Sequence, residues 1–204
     1  MIARMAAGIA AGFLLIGTSA GQKPANDRLA AISAARALRE AGAFLGHENS
    51  NPNRPVVSLR AISNMDDNDF VRVAALKHLD HLFVDSPNVS DTGTAGLKGL
   101  PKLRDLGLHC RKVGDGSVKH FATLPSLEDL SLVRSGVTDA GMKGIAALPK
   151  LSRLQLANTA VTDAGLMALA ASKSLTSVGV GGTKVTDAGI KAFQAARPGC
   201  KVSR

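Results

Sequence analysis

The sequence predicts an α/β solenoid with a parallel sheet on its concave face and short helices on its convex face. Three observations predict it. The pentapeptide VTDAG starts at Val137, Val161 and Val185, spaced by 24 residues, and looser copies carry the same register back through Val113, Val89 and Met65. Within each unit, apolar residues fall three apart, as at Phe70, Val73 and Leu76 or Met142, Ile145 and Leu148, which is the inward stripe of a short helix. The second half of a unit then reads LxxLxL, as at Leu103, Leu106 and Leu108 or Leu151, Leu154 and Leu156, ending in the period-two alternation of a strand. Six units begin at 65, 89, 113, 137, 161 and 185, the last truncated, so residues 65–204 form one repeat array.

The segments before the array have separate roles. Residues 1–20 place Arg4 ahead of an apolar run from Met5 to Gly17 and the small residues Thr18, Ser19 and Ala20, which reads as a signal peptide. The run is shorter than the ~20 apolar residues that span a bilayer. No stable membrane insertion is therefore expected once the signal is removed, and the protein is placed as secreted, periplasmic or in the cell envelope. Residues 21–64 are expected to form a helix and hairpin that cap the array. Asp27 is the expected start of a helix through Ala41, burying Leu29, Ile32, Ala35 and Leu38 and turning Arg36, Arg39 and Glu40 outward. The Pro- and Asn-rich run from Asn49 to Pro55 reads as a hairpin loop before a strand from Val56 to Arg60.

Each unit opens on an acid: Asp67, Asp91, Asp115, Asp139, Asp163 and Asp187. Standing just before the helical stripe, these carboxylates are expected to cap the first helical turn rather than to form a catalytic or metal-binding row. Gly93, Gly141, Gly165 and Gly189 are expected to permit close packing between neighbouring units, with Asp69 and Ser117 breaking that series. At the far end, Cys200 to Arg204 supply a last edge strand through Val202.

VTDAGLMALAASKSLTSVGVGGTK, the unit at 161, resembles the 24-residue repeat of secreted bacterial leucine-rich-repeat proteins, similar to the ribonuclease-inhibitor-like and GALA-type classes. Residues 37–64 also resemble the amino-terminal flank of those proteins. The resemblance implies a leucine-rich-repeat solenoid of horseshoe form and brings no catalytic residue with it, because the shared motifs are structural.

Composition narrows the function classes. Of 204 residues, 45% are hydrophobic and only 3% aromatic, with no Trp and no Tyr, which suits thin stacked layers of aliphatic side chains. The formal net charge of +9 is distributed unevenly. Residues 65–88 carry a net −3, whereas 137–204 carry nine bases against three acids. That basic third could attract an anionic polymer or serve solubility. Nucleic acid is not an expected partner, since export argues against it and base-stacking side chains are lacking. Cys110 and Cys200 lie four units apart, too far for a disulfide, and read as free thiols, Cys200 being the better placed to link chains.

The strand register lists the inner face by column. One column is His81, Asp105, Asp129, Arg153, Ser177 and Lys201; the next holds Phe83, Gly107, Ser131, Gln155 and Gly179; a third holds Asp85 and His109. His81 is expected beside Asp105, and Asp85 beside His109, with exposed Phe83 between them. Such a cluster could anchor a ligand, hold a metal or orient a base, and could equally be cross-strand polar pairing. The residues that HExxH, GxSxG, Walker and dinucleotide fingerprints would supply are missing, so no catalytic residue, metal or cofactor is assigned. The reading is a protein-interaction or scaffolding module, not an enzyme, that meets a protein or anionic envelope polymer through His81, Phe83, Asp85, Asp105, His109, Asp129 and Arg153. A structural envelope component without a discrete ligand is the alternative, and a His/Asp-based enzyme comes third.

Overall fold

The computed structural model describes residues 23–62 and 64–204, so the signal reading of residues 1–20 lies outside them. No helix among the described residues is long and apolar enough to cross a membrane. The chain opens with α1 (Lys23–Glu40), then β1 (Phe44–His47) and β2 (Val56–Ile62), which pair antiparallel. Asn49 and Ser50 take φ of 54° and 57° in the connecting loop, the left-handed turn that Asn tolerates. Six helix-then-strand units follow. Their helical pieces are α2 (Asp67–Val73), a 3₁₀ segment Gly93–Leu97, α3 (Val118–Phe121), α4 (Asp139–Ala146), α5 (Asp163–Ala168) and α6 (Asp187–Ala196). Their strands are β3 (His81–Asp85), β4 (Asp105–Leu108), β5 (Asp129–Ser131), β6 (Arg153–Gln155), β7 (Ser177–Gly179) and β8 (Lys201–Ser203).

The strands lie in one eight-stranded sheet in chain order, parallel from β2 onward. From β3 on, the register advances by one repeat per strand, pairing Leu82 with Leu106, Leu106 with Leu130, Leu130 with Leu154 and Leu154 with Val178. These side chains meet the helical stripe to form one continuous core. Leu106, Leu154 and Val178 are fully buried, as are the unit-opening residues Met65, Val89, Val113, Val137 and Val161. The expected last strand forms as β8, with Val202 opposite Val178.

The row of acids behaves differently from the capping expectation. In the regular units the cap is one residue earlier: Thr138 and Thr162 hold extended backbone and their hydroxyls accept from Ala140 N–H and Ala164 N–H, while Thr186 accepts from Gly189 N–H. In the first unit Asp66 fills that role, and Asp69 completes a capping box by accepting from the Asp66 N–H at 3.1 Å. That is why Asp69 breaks the Gly series. The following Asp already has helical backbone, so its carboxylate points across to the next unit. Asp139 accepts from the Thr162 N–H at 2.8 Å and its hydroxyl at 2.6 Å; Asp115 and Thr138, and Asp163 and Thr186, repeat the arrangement. Each Thr hydroxyl thus accepts from its own helix and donates to the preceding repeat. The Thr186 amide and hydroxyl pull the Asp163 carboxyl below its ordinary range.

This staple explains the glycines. A Cβ at Gly141 would stand 2.5 Å from an Asp115 carboxylate oxygen, and one at Gly165 or Gly189 would collide with Asp139 or Asp163. In the unit at 113 the series is offset by one residue: Gly116 clears Asp91, and Ser117 donates to Asp91 at 2.5 Å.

Two expectations about the flanks change. Helix α1 begins at Lys23, so Asp27 lies inside it. Ala34, Ala35 and Leu38 are buried, but Leu29 and Ile32 are 65% and 57% exposed. Only the carboxyl-terminal half of α1 seats on the array. Cys110 and Cys200 are unbridged, as the register requires, but Cys200 is only 2% exposed, which removes it as a chain-linking thiol. Burial raises both thiols, Cys110 to about 11.

Candidate functional site

The sheet face carries the predicted columns in the predicted register: His81, Asp105, Asp129, Arg153, Ser177 and Lys201 are paired in succession across β3 to β8. His81 meets Asp105 as expected, with Nδ1 to Oδ2 at 3.5 Å, and also meets Asp80, with Nε2 to Oδ2 at 3.4 Å. Both distances exceed an ordinary hydrogen bond. These are solvated charge contacts, with the His81 and Asp105 side chains 57% and 54% exposed. Farther along the column, the Arg153 guanidinium grips Asp129 through both carboxylate oxygens. That pair is self-satisfied.

The expected Asp85–His109 pair does not form. Asp85 instead accepts from Arg134 Nη2 at 2.7 Å, reached from two repeats away by a residue whose φ of 60° turns its side chain back over the face. A permanently charged guanidinium is the better partner for a carboxylate than a neutral imidazole. His109 turns to Ser131, with Nε2 to Oγ at 2.8 Å, and stands edge-on to Phe83 with ring centroids 4.7 Å apart. Burial foremost, with Arg134 adding and Asp85 opposing, holds its pKa below the ordinary 6.5. Ser131 and His109 are therefore a hydroxyl–imidazole pair without a carboxylate hydrogen-bonded to the ring, the orienting third group that nucleophilic catalysis uses. Among the described residues, no group of three or more His, Cys, Asp and Glu side chains could hold a metal.

The structure adds residues that the sequence columns missed. Phe44 on β1 pairs with Arg60 on β2, which pairs with Phe83 on β3. The Arg60 guanidinium lies 5.2 Å from the Phe83 centroid. Gly107 beside Phe83 makes room for the ring, since a Cβ there would lie 2.7 Å from Phe83 Cδ2. Phe44 is 73% exposed and Ile62, next to Asp85, 49%. A hollow of about 350 Å3 opens between Phe44, Arg60, His81, Phe83 and Asp105. The signal was present but displaced: β2 aligns with β3 at an offset of 23 residues, Ser58 opposite His81, whereas the repeat advances by 24. Extrapolating the period one unit upstream turns the wrong side of β2 to the face, because a one-residue slip reverses a strand.

The basic third is partly scaffold. Arg197 donates to the Ala170 and Leu175 carbonyls, and Arg204 donates to the Val185 carbonyl and pairs with Asp187. Lys143, Lys150, Lys173, Lys184, Lys191 and Lys201 are exposed.

Residues 123–146 and 147–170 match the sequence model described as leucine-rich repeat. No curated protein matches the chain significantly. Among solved structures, the chain is similar to a Bacteroides fragilis protein, with 20% identity and a TM-score of 0.44 over 63% of this chain and 41% of that one. It therefore spans less than half the length of that protein. It is also similar to the crystal structure of a pollen receptor kinase 3, with 16% identity and a TM-score of 0.47 over 75% of each chain. With two matched repeats and one strand register running through all six units, the fold is an α/β leucine-rich-repeat solenoid.

Proposed function

We infer that this protein is an exported interaction module, of the secreted bacterial leucine-rich-repeat kind, that binds a partner protein through the sheet face of β1 to β4. The observation that carries the reading is the row Phe44, Arg60, Phe83 with its adjoining hollow. Leucine-rich repeats generally serve as protein-interaction modules, which supports it. Aromatic and Arg side chains are the usual energetic centre of protein interfaces. Here they sit together on an open face, ringed by His81, Asp105, Asp85 and His109. The bidentate Asp129–Arg153 pair borders the patch and sets its polar edge.

The test is capture from envelope and culture-supernatant fractions with wild type and an Arg60→Ala/Phe83→Ala variant. One partner retained by the wild type and lost by the variant is the expected result; retention by both would remove this face as the site. An anionic envelope polymer is a second reading, favoured by the six exposed lysines of the last three repeats. Its mark would be binding that weakens steeply with salt and survives the Arg60→Ala/Phe83→Ala change.

A further inference from the structure

We propose that the groove between α1 and the hairpin binds one amphiphile of the fatty-acid class, with an anionic head and a straight apolar tail. The groove measures about 820 Å3, inside the ~300–1,000 Å3 range of small-molecule sites. Its apolar lining comes from three elements: Ala31, Ile32 and Ala35 on α1, Val56 at the start of β2, and Leu76 after α2. Its charged lining is one-sided. Arg28, Arg54 and Lys77 stand against Asp27 as the single acid, with His47 and His78 beside them.

The groove is built from tied parts. Arg39 Nη2 lies 2.6 Å from His47 Nε2, and His47 Nδ1 lies 2.8 Å from the Arg54 carbonyl. Arginine can only donate, so Nε2 accepts and Nδ1 carries the proton given to that carbonyl. The imidazole thereby fastens the hairpin loop to α1. The apolar side that the sequence predicts for α1 is only half used by the core, which leaves Ile32 exposed in the groove and Leu29 exposed nearby. Aliphatic surface beside an excess of positive charge, with Lys77 also donating to the Gly99 carbonyl at 3.2 Å, fits a molecule that is apolar along its length and negative at one end.

Charge disfavours two other occupants. The chain's own residues 1–22 carry Arg4 as their only charged side chain, of the same sign as the rim. A second copy pairing through the same face would bring together two rims that each carry Arg28, Arg54 and Lys77 against one acid, Asp27. This groove is separate from the sheet face, and the proposal does not depend on the interaction reading above.

The experiment is calorimetric titration of the full chain with decanoate and dodecanoate below their micelle concentrations and with 1-dodecanol below its solubility, all at low ionic strength. Dodecanoate is expected to saturate one site and to bind roughly 15-fold more tightly than decanoate, the ratio two fully buried methylenes give. Ile32→Asp should weaken dodecanoate at least about tenfold by placing a charge in the tail path. Arg54→Glu with Lys77→Glu should erase the preference for dodecanoate over 1-dodecanol while keeping the chain-length dependence. All three positions are exposed, so unchanged circular dichroism and melting verify the fold. Absence of saturable binding, equal affinity for the two acids, or indifference to Ile32→Asp would overturn the proposal. The chain from Gly21, which retains every described element, should bind dodecanoate as well, and loss of binding in it would also overturn the proposal. A dimer in sedimentation that Ile32→Asp abolishes would put a second copy there, with the same consequence.

Discussion

The last three repeats and the first three are built on one register but obey it to different degrees. In the units at 137, 161 and 185, the opening residues serve the scaffold, with Val in the core, Thr as cap and Gly clearing the Asp of the unit before, and Asp139 and Asp163 staple the unit after. Their sheet face ends in small or self-satisfied side chains, such as Gly179 and the Asp129–Arg153 pair that leads into them. The units at 65, 89 and 113 depart from the rule on both sides. On the helix side, Thr94 and Ser117 are fully buried where an apolar stripe and a Gly are expected, hydrogen-bonded to each other at 3.1 Å and, through Thr94, to His120 at 2.9 Å. On the sheet side stand Phe83, His81, Asp105 and His109. The lesson is that on the sheet face and in the helical stripe, polar and aromatic side chains that the scaffold does not require collect where repetition fails.

The comparison predicts that the halves are equal in their core and unequal at their ends and faces. The largest effects should be alike in both halves: Leu106→Ala and Leu154→Ala each remove a fully buried side chain from the same column. Each is expected to cost about 2–5 kcal/mol in denaturant unfolding. A much smaller cost for either would mean that its half is loosely packed. Next come the staples. Asp139→Ala strips two hydrogen-bond donors on Thr162 of their acceptor and should cost about 1–3 kcal/mol. Asp187, the last of the row, meets only Arg204 among the described residues, at 3.0 Å, with its side chain 81% exposed. Asp187→Ala should therefore cost at most about 1 kcal/mol, and equal losses at the two positions would refute the staple.

Smaller still is the expected cost of altering the face. Arg60 lies over Phe83 at an exposed site, a contact worth about 0.5–1 kcal/mol. Arg60→Ala should leave the unfolding midpoint nearly in place while lowering partner capture. A large loss of stability together with lost capture would make Arg60 a scaffold residue.

Most of the fold is legible in the sequence because a 24-residue period repeats one solution, and a column of leucines can face only the core. The strand register follows from it, including the His81–Asp105 and Asp129–Arg153 neighbours. What is not legible depends on distances the period does not encode. The pattern assigns the Asp row to its own helix, yet one residue separates an N-cap from the first helical position, and that residue decides whether the carboxylate turns inward or across to the next repeat. Adjacency assigns Asp85 to His109, but Arg134 reaches it through a left-handed turn with no glycine to announce it. Arg60 and Phe44 are hidden by the one-residue shorter step between β2 and β3.

The pH dependence of stability separates the two irregular histidines. His109 on the face and His120 on the helix side both have pKa values held below the ordinary 6.5, chiefly by burial, with Arg134 adding at the first and Lys119 at the second. In each case the unfolded chain binds the proton more readily than the folded one. Stability is therefore fully present above about pH 6.5 and declines as pH falls from there through the lower folded values. Denaturant midpoints at pH 7.5 and pH 5.5 should show that fall in the wild type. His109→Gln, which keeps a hydrogen-bonding group for Ser131, should remove one share of it, and His120→Gln another. The two rings share no hydrogen-bond partner, one meeting Ser131 and the other Thr94, so the shares should add. Only the His109 share should be accompanied by weaker partner capture at pH 5.5, because only that imidazole touches Phe83. If His109→Gln left both the fall in stability and the fall in capture unchanged, the ring would not be held neutral on the face, and the irregular half would owe its acid sensitivity to the scaffold alone.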